Sequence, residues 1–238
     1  MRATARLATS SVSNLELGLP FSTRQGAKAL AQAMLPSSMV TWRGPVARSA
    51  AQRKAVALTF DDGPTSLTPE YLRVLDQLGV RATFFVIGKA CTEYPHLVRA
   101  IASHGHQLAN HGYTHRRFTT LSSSELEQEL QRTQDLLDTF QAPQHRLVRP
   151  PHGATSLWSM LNCSLAGFTT VLWSFDSGDS RTRNVTDLEQ AFTVNTVNDG
   201  DIILLHEGQS WTLQALPAIV NELEKTGHDL VTLGELLD

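Results

Sequence analysis

The two residues with the clearest capacity for chemistry are adjacent carboxylates, Asp61 and Asp62, in the segment TFDDGP at residues 59–64. They follow an apolar run at residues 55–58, and an apolar run that stops at acids and a Gly-Pro turn is typical of a buried strand. Neighbouring side chains on a strand point to opposite faces, so the two acids can hold different roles only where the strand ends. The pattern predicts that one carboxylate binds a cation while the other accepts a proton. An ordinary type I turn, which favours Asp as its first residue, is the alternative for this segment taken alone.

Two histidines four positions apart, His111 and His115, form the second cluster. Imidazoles at this spacing can face one ion, and a carboxylate such as Asp62 would complete a three-ligand site with open positions for water. Histidine pairs at this spacing also arise by accident. The strand-end acid is what favours metal ligation here.

Three further polar clusters follow later apolar runs, at residues 149–153 (RPPHG), 176–179 (DSGD) and 204–207 (LLHE). The prolines and glycine of the first favour a fixed backbone whose N–H groups can face a ligand, although an ordinary Pro-Pro loop would have the same composition. The histidine of the last cluster, His206, ends an apolar run. A carboxylate near it would raise its pKa and make it a useful general acid near neutral pH.

The elements that must position these clusters alternate along the chain from residue 55 onward. Capping signals at Thr68-Pro69 and at residues 122–125 predict helices between short apolar runs. The predicted strands are residues 55–60, 82–87, 107–110, 147–148, 169–173, 202–205 and 230–232. About seven β-α units indicate an α/β fold with a parallel sheet, either an irregular barrel or an open doubly wound sheet. Function gathers at the carboxyl ends of the strands in both folds, and the polar clusters follow those ends.

The composition of the 238 residues limits the possible domain organisation and class of the protein. A hydrophobic content of 41% suffices for one domain with a sizeable core, and the longest apolar runs are far below the roughly 20 residues of a membrane span. Two cysteines, Cys91 and Cys163, lie outside any CxxC spacing, which argues against a disulfide scaffold or a structural zinc cluster.

The charge changes sign along the chain. Residues 1–60 hold eight of the 20 Lys and Arg side chains but only one of the 23 acids. This asymmetry predicts that residues 1–53 form a separate basic extension, either partly ordered or a targeting segment, which leaves residues 54–238 as the main domain. The start of the chain shows no continuous hydrophobic segment of the kind found in a secretory signal peptide.

Taken in order, the five clusters resemble the motifs of the polysaccharide deacetylases of carbohydrate esterase family four, the NodB-homology domain. The matching motifs are TFDDGP, His-x-x-x-His, Arg-Pro-Pro-x-Gly, Asp-x-x-Asp and Leu-x-His, and the resemblance covers residues 55–238. It implies a distorted (β/α)7 barrel with parallel strands, in agreement with the number of β-α units. It also implies removal of acetyl groups from chitin, chitooligosaccharides, peptidoglycan or xylan, with one divalent metal ion. Zinc is expected, with cobalt or nickel as alternatives, and the expected partners are a glycan substrate and no nucleic acid, with the protein a monomer.

The resemblance implies roles for the residues of the first three motifs. Asp61 corresponds to the general base, and Asp62, His111 and His115 correspond to the metal ligands. Arg149 would hold Asp61 ionised and oriented.

The later motifs would supply the general acid and the substrate contacts. His206 corresponds to the general acid, with Asp176 as its charge partner. Leu204 would line a pocket for the acetyl methyl group, with His152 and Pro151 as further substrate-binding residues. A backbone N–H near His152 would stabilise the tetrahedral oxyanion.

Three positions depart from the family pattern. Gly112 replaces a Ser or Thr whose hydroxyl helps to order the loop, His152 replaces an aromatic residue, and Ser180 replaces a Trp. None of these changes removes a proposed catalytic atom, so they bear on the substrate rather than on the reaction. Two aromatics that precede the fourth motif, Trp173 and Phe175, are expected in the barrel core.

Other functions remain open on the sequence alone. An esterase that removes O-acetyl groups from xylan, or a hydrolase of cyclic amides such as allantoin, would keep the fold and the metal. An inactive carbohydrate-binding module is the alternative outside enzymology, but such a protein loses a ligand or the base, and all of them are retained here. The function implied by the resemblance favours a secreted or cell-envelope location.

Overall fold

The computed structural model describes residues 35–46, 53–142, 145–194 and 197–238. Within these ranges, nine strands form one sheet in which neighbouring strands pair in parallel. They are β1 (Val40–Thr41), β2 (Lys54–Gly63), β3 (Thr83–Val86), β4 (Gln107–Asn110), β5 (Leu147–Val148), β6 (Thr169–Val171), β7 (Phe175–Asp176), β8 (Ile202–His206) and β9 (His228–Val231). Their order is β1-β6-β5-β4-β3-β2-β8-β7, and β9 pairs with the first half of β2.

The sheet is curled around an interior of its own. Side chains from six strands meet in one buried cluster, which the last helix closes with Leu233 and Leu236. The strand residues of this cluster are Ala57, Phe85, Ala109, Leu147, Val171 and Ile202. A larger apolar layer packs the outer face of the sheet against the helices. The predicted α/β fold with a (β/α)7 barrel and parallel strands is therefore confirmed.

Eight α-helices lie in the described residues, most of them in the connections between strands. They are α1 (Thr68–Leu78), α2 (Gly88–Glu93), α3 (Pro95–Ser103), α4 (Ser123–Asp138), α5 (Leu157–Leu165), α6 (Val185–Val194), α7 (Ser210–Lys225) and α8 (Leu233–Leu237). The capping box predicted before α4 is present, because Ser122 accepts from the Glu125 N–H and the Glu125 side chain bonds back to Ser122. None of these helices is long and apolar enough to cross a membrane.

The start of α1 differs from the prediction that Thr68 is its N-cap. Leu67 holds the N-cap position without a side-chain hydrogen bond, and Thr68 is the first helical residue. The Thr68 hydroxyl instead accepts from the N–H of Thr65 and donates to Glu207. Its position is therefore set by the loop that follows the two central acids.

Part of the predicted basic extension belongs to the sheet. β1 pairs with β6, and Trp42 is buried against Leu172. Arg43 forms a salt bridge of 2.5 Å with Asp201, which is itself buried. Residues 35–46 therefore pack on the domain, while residues 1–34 and 47–52 lie outside the described residues and the boundary at residue 53 stays a prediction.

Candidate active site

The carboxyl end of β2 carries both central acids into the same space. Asp61 is the register partner of His206 on β8, and the pairing with β3 shifts between Asp61 and Gly63. Asp62 at this irregularity has a φ of 73°, in the left-handed region. A bulge of this kind re-aims a side chain, which explains how two neighbouring acids share one cavity although a regular strand would separate them.

These strand ends surround a cavity of about 360 Å³. Its lining contains every residue predicted as a base, acid or metal ligand. The lining residues are Asp61, Asp62, His111, His115, His152, Gly153, Trp173, Asp176, Ser180, Arg181, Leu204, His206 and Gln209.

The predicted metal ligands converge. One ligand atom each from Asp62, His111 and His115 lies within 4.8 Å of the others. Asp62 Oδ1 is 3.4 Å from His111 Nε2 and 3.0 Å from His115 Nε2, yet it has no hydrogen-bond partner among the described residues. A buried carboxylate oxygen facing two ring nitrogens without hydrogen-bond geometry fits a cation shared by the three groups.

Two features prepare these side chains for a cation. The His111 Nδ1 lies 2.7 Å from the carbonyl oxygen of Arg149, so the proton sits on Nδ1 and the Nε2 lone pair is left for a metal. Burial alone would raise the pKa of Asp62, but its interactions with His111 and His115 outweigh burial and hold that pKa far below its usual range. The carboxylate is therefore ionised at neutral pH.

Asp61 is held by a fully buried arginine. Arg149 Nη1 donates to Asp61 Oδ1 at 2.7 Å and to the Thr59 hydroxyl at 2.8 Å. The guanidinium carbon also lies 4.1 Å from the centre of the Phe85 ring. Burial lowers the pKa of Arg149, and the charge of Asp61 opposes this effect. The predicted contact between Arg149 and Asp61 is present, and it leaves Asp61 Oδ2 on the side of His111, 3.8 Å from its Nε2.

The charge partner of His206 is Asp179, and the prediction of Asp176 for this position is wrong. Asp179 Oδ1 lies 2.8 Å from His206 Nδ1, and Asp179 Oδ2 accepts from the His206 backbone N–H at 2.7 Å. Burial lowers the pKa of His206, but the hydrogen bond and the charge of Asp179 outweigh burial and raise it overall. Asp179 is itself 1% exposed and accepts a further bond from the Thr212 hydroxyl.

Asp176 faces a different set of partners. Its Oδ1 accepts from the N–H of Gly178, and its Oδ2 accepts from Arg181 Nη1 at 3.0 Å. Asp176 is the last residue of β7 and is exposed at the cavity rim. The chain turns after β7 and brings Asp179, the second acid of the motif, next to β8. Asp179 rather than Asp176 therefore contacts the imidazole of His206.

The wall predicted to bind substrate differs from the expectation at one of its three residues. Leu204 and His152 line the cavity, whereas Pro151 is buried and absent from the lining. Its place is taken by Gly153, where an added Cβ would lie 2.5 Å from the ring of Trp173. Trp173 is half-buried and packs against the interior cluster of the sheet, as expected, and it also lines the cavity.

Two buried acids that support the site were not identified from the sequence. Glu207 accepts from the N–H of Thr65 at 3.0 Å and from the hydroxyl of Thr68, and a Cβ on Gly63 would overlap its second oxygen. Burial raises the pKa of Glu207. Glu129 on α4 accepts three hydrogen bonds from the loop between His111 and His115. The sequence signal for Glu207 was its place in the polar cluster at residues 204–207, and that for Glu129 was its place next to Leu130 in a predicted helix.

The fold is a parallel (β/α)7 sheet whose carboxyl edge brings aspartates and histidines into one cavity, the edge at which enzymes of this barrel class carry their active sites. The family model described as polysaccharide deacetylase matches residues 48–171. A peptidoglycan-N-acetylglucosamine deacetylase of Bacillus cereus is 35% identical over 208 residues, which cover 85% of this chain and 94% of that protein. The chain belongs to the polysaccharide deacetylase family.

Solved structures agree with this assignment. The crystal structure of the Bc1960 peptidoglycan N-acetylglucosamine deacetylase in complex with a hydroxamate-type benzamide superposes with a TM-score of 0.77 at 27% identity, covering 92% of this chain and 97% of that one. A family pseudoenzyme from Bacillus anthracis, BA3943, superposes with a TM-score of 0.76 at 27% identity, covering 86% and 70%. Since an enzyme and a pseudoenzyme fit equally well, activity must be argued from the side chains.

Proposed function

We propose that the protein is a divalent-metal-dependent deacetylase that removes the N-acetyl group from N-acetylglucosamine residues of a peptidoglycan- or chitooligosaccharide-type glycan. The observation that carries this proposal is the convergence of Asp62, His111 and His115 beside Asp61, a carboxylate fixed by Arg149. Zinc is the proposed metal because one carboxylate and two imidazoles form a typical three-ligand catalytic zinc set.

The ligand set fits a catalytic rather than a structural ion. Three protein ligands leave positions for water and substrate, and the site opens to a cavity rather than to the core. A bound cation of this kind lowers the pKa of a water molecule and polarises a carbonyl group.

The residues around the ligands would carry the proton transfers of amide hydrolysis. Asp61 would accept a proton from the attacking water at Oδ2, while Arg149 keeps Oδ1 occupied and the carboxylate in place. The water oxygen forms a bond to the acyl carbon, and the bond from that carbon to nitrogen breaks. His206 would donate a proton to the departing amine, which would otherwise be a poor leaving group. The products would be acetate and a free amino sugar.

The cavity wall suits a small acyl group next to an open groove. Leu204 and Trp173 would supply an apolar surface for the acetyl methyl group, and the backbone near His152 would face the oxyanion. His152 has a φ of 60°, and its ring centre lies 4.6 Å from that of His115. Ser180, in place of the family tryptophan, puts a small exposed side chain on the cavity lining.

The test of this proposal is acetate release from chitooligosaccharides, peptidoglycan and acetylated xylan, with allantoin hydrolysis measured alongside. We expect activity on at least one N-acetylated glycan, loss of activity with a chelator, and recovery when zinc is added back. Activity confined to xylan or allantoin would replace the proposal by the corresponding alternative. If the zinc-loaded protein turned over none of these substrates, the inactive carbohydrate-binding module would be the remaining hypothesis.

The role of each ligand and of the base is tested by substitution. Asp61→Asn should keep its metal and lose about 10²–10⁴-fold in activity, the usual contribution of a positioned base, because an amide cannot accept the proton of water. Asp62→Ala and His115→Ala should lose metal, as measured by elemental analysis. Equal metal in wild type and both ligand variants would contradict the triad, and an Asp61→Asn enzyme within about twofold of wild type would contradict the base, given that expected range.

A further inference from the structure

The loop that joins the two proposed histidine ligands is held on one side by the start of α2. The carbonyl oxygens of Gly112 and Tyr113 accept from the N–H groups of Gly88 and Lys89, each at 2.9 Å. These N–H groups belong to the first turn of α2 and have no partner within that helix. The carbonyl side of residues 111–115 is thereby fixed to a neighbouring helix.

Glu129 holds the other side of the same loop. Its Oε2 accepts from the backbone N–H groups of Tyr113 and Thr114, both at 2.7 Å. Its Oε1 accepts from the Thr114 hydroxyl at 2.6 Å. Both carboxylate oxygens are thus directed at the residue immediately before His115, and three donors on one acid match the acceptor-only chemistry of an ionised carboxylate.

Glu129 is placed to form hydrogen bonds with the loop rather than with the substrate. The residue lies in the middle of α4, is 8% exposed and does not line the cavity. A carboxylate at such a depth is costly unless donors compensate for the water it has lost. The loop supplies the three donors described above.

The backbone at His115 needs such support. Its φ is 60°, a left-handed conformation that is uncommon for residues other than glycine, costs free energy and persists only where the surrounding structure imposes it. In this conformation His115 Nε2 lies 3.0 Å from Asp62 Oδ1, and the preceding residue, Thr114, is hydrogen-bonded to Glu129. The hydrogen bonds of Glu129 therefore fix the residue immediately before a proposed ligand, and with it the direction of that ligand.

Residue 112 is a glycine and therefore has no hydroxyl that could order this loop. Gly112 has a φ of 76°, and an added Cβ would lie 3.1 Å from the ring of Phe118 and 3.4 Å from Glu129 Oε2. The N–H of Gly112 donates instead to the Asn110 side chain at 2.8 Å. The ordering expected of a Ser or Thr in this motif falls to other groups.

We propose that Glu129 is a positioning residue for the metal site, which holds Thr114 so that the His115 imidazole is directed at the cation. The inference rests on the metal site of the proposed function. Glu129, in the middle of α4, would order the loop between the two histidines. In the family pattern a Ser or Thr hydroxyl at residue 112 has this function. Metal affinity, rather than the chemical step alone, should depend on it.

The experiment is a zinc titration of the metal-free full-length protein in competition with a chromophoric chelator. Glu129→Gln should weaken zinc binding about 10–100-fold, the range found when a group that orients a ligand is lost. Glu127→Gln, an exposed acid on the same helix, is the matched control and should bind zinc as the wild type does. The absorption spectrum of the cobalt-loaded Glu129→Gln protein should also change, since its ligand geometry differs.

A purely structural role would give a different result. In that case the metal-free Glu129→Gln protein would unfold at a lower temperature while its zinc affinity equalled that of the wild type, and the proposal would be overturned. If Glu129→Gln does not fold, Thr114→Val decides, because it removes only the hydroxyl bond; a folded Thr114→Val protein with unchanged affinity would also overturn it. Failure of the wild type to bind zinc would instead remove the metal site, and this role with it.

Discussion

Replacement of Asp179 by Asn tests how His206 is made into an acid. Asp179 is in contact with the imidazole through Oδ1 and with the His206 backbone N–H through Oδ2. The contact with Asp179 overcomes the effect of burial and raises the pKa of His206. A general acid works only while protonated, so its pKa sets the alkaline limb of the pH profile of kcat/KM. Loss of the aspartate charge lowers that pKa, and the alkaline limb is expected to move to lower pH.

The size of the effect follows from the contacts that are lost. A hydrogen bond to a charged group contributes about 1.5–3 kcal/mol, and 1.4 kcal/mol corresponds to a factor of ten. Activity on the alkaline side should therefore fall about 10- to 100-fold, with a smaller loss on the acid side. If the oxygen of the introduced amide keeps the hydrogen bond to His206 Nδ1, the NH2 group of the amide faces the backbone N–H of His206. That buried N–H then lacks an acceptor, which costs about 1–3 kcal/mol of folding stability. Urea unfolding measures that second effect separately.

The assay is the rate of acetate release across the pH range in which the protein stays folded, with metal content checked at each end. Asp176→Asn is the matched control, because Asp176 contacts Gly178 and Arg181 rather than His206. We expect the alkaline limb to stay in place in this control. A limb that moved in Asp176→Asn and not in Asp179→Asn would restore the pairing expected from the sequence. A limb unmoved in both variants would exclude His206 as the group that titrates there.

Two further predictions concern the groove and the core. Ser180→Trp should lower KM for chitooligosaccharides and leave kcat near that of the wild type, because one buried ring contributes about 1.5–3 kcal/mol of binding that is equal in the ground and transition states; unchanged kinetics on every glycan would show that residue 180 does not contact substrate. His106 is 1% exposed, and its burial lowers its pKa to about 4 from an ordinary value of 6.5. The unfolded chain therefore binds more protons between those pH values, so folding stability should fall by on the order of 3 kcal/mol as the pH drops through this window. Urea unfolding of metal-free His106→Asn should show a weaker pH dependence there, and an equal dependence would assign the acid sensitivity to other groups.

The positions of the site residues could be predicted because each polar cluster directly follows an apolar run. In a parallel sheet, the carboxyl ends of the strands meet at one edge, so five clusters on five strand ends imply one site. The choice between Asp176 and Asp179 could not be made in this way. Both acids belong to the same motif, and only the path of the chain from β7 back to β8 decides which one meets His206.

Residues that act from a distance left weaker signals. Glu129 lies in a helix whose buried stripe includes Leu126 and Leu130, and an acid beside such a stripe is usually read as solvent-exposed. Trp173 belongs to the same short run as the buried Phe175, so periodicity could not show that only the first reaches the cavity. The strand at residues 40–41 consists of two residues, too few for a periodic pattern, and its place is fixed by β6.

The pairing of β2 with β8 has a consequence for how the protein comes to exist in an active form. The Thr59 hydroxyl donates to the Ile203 carbonyl oxygen across 144 residues of sequence, and Asp61 and His206 are partners in the same register. Contacts this distant are entropically expensive to close and form late. On the ribosome, Asp61 and the three proposed ligand residues emerge well before His206, and the edge of β2 that pairs with β8 stays unpaired until β8 arrives. The proposed base and the proposed acid therefore come together only when β8 has paired with β2, so the proposed hydrolysis requires the chain to be folded through residue 206.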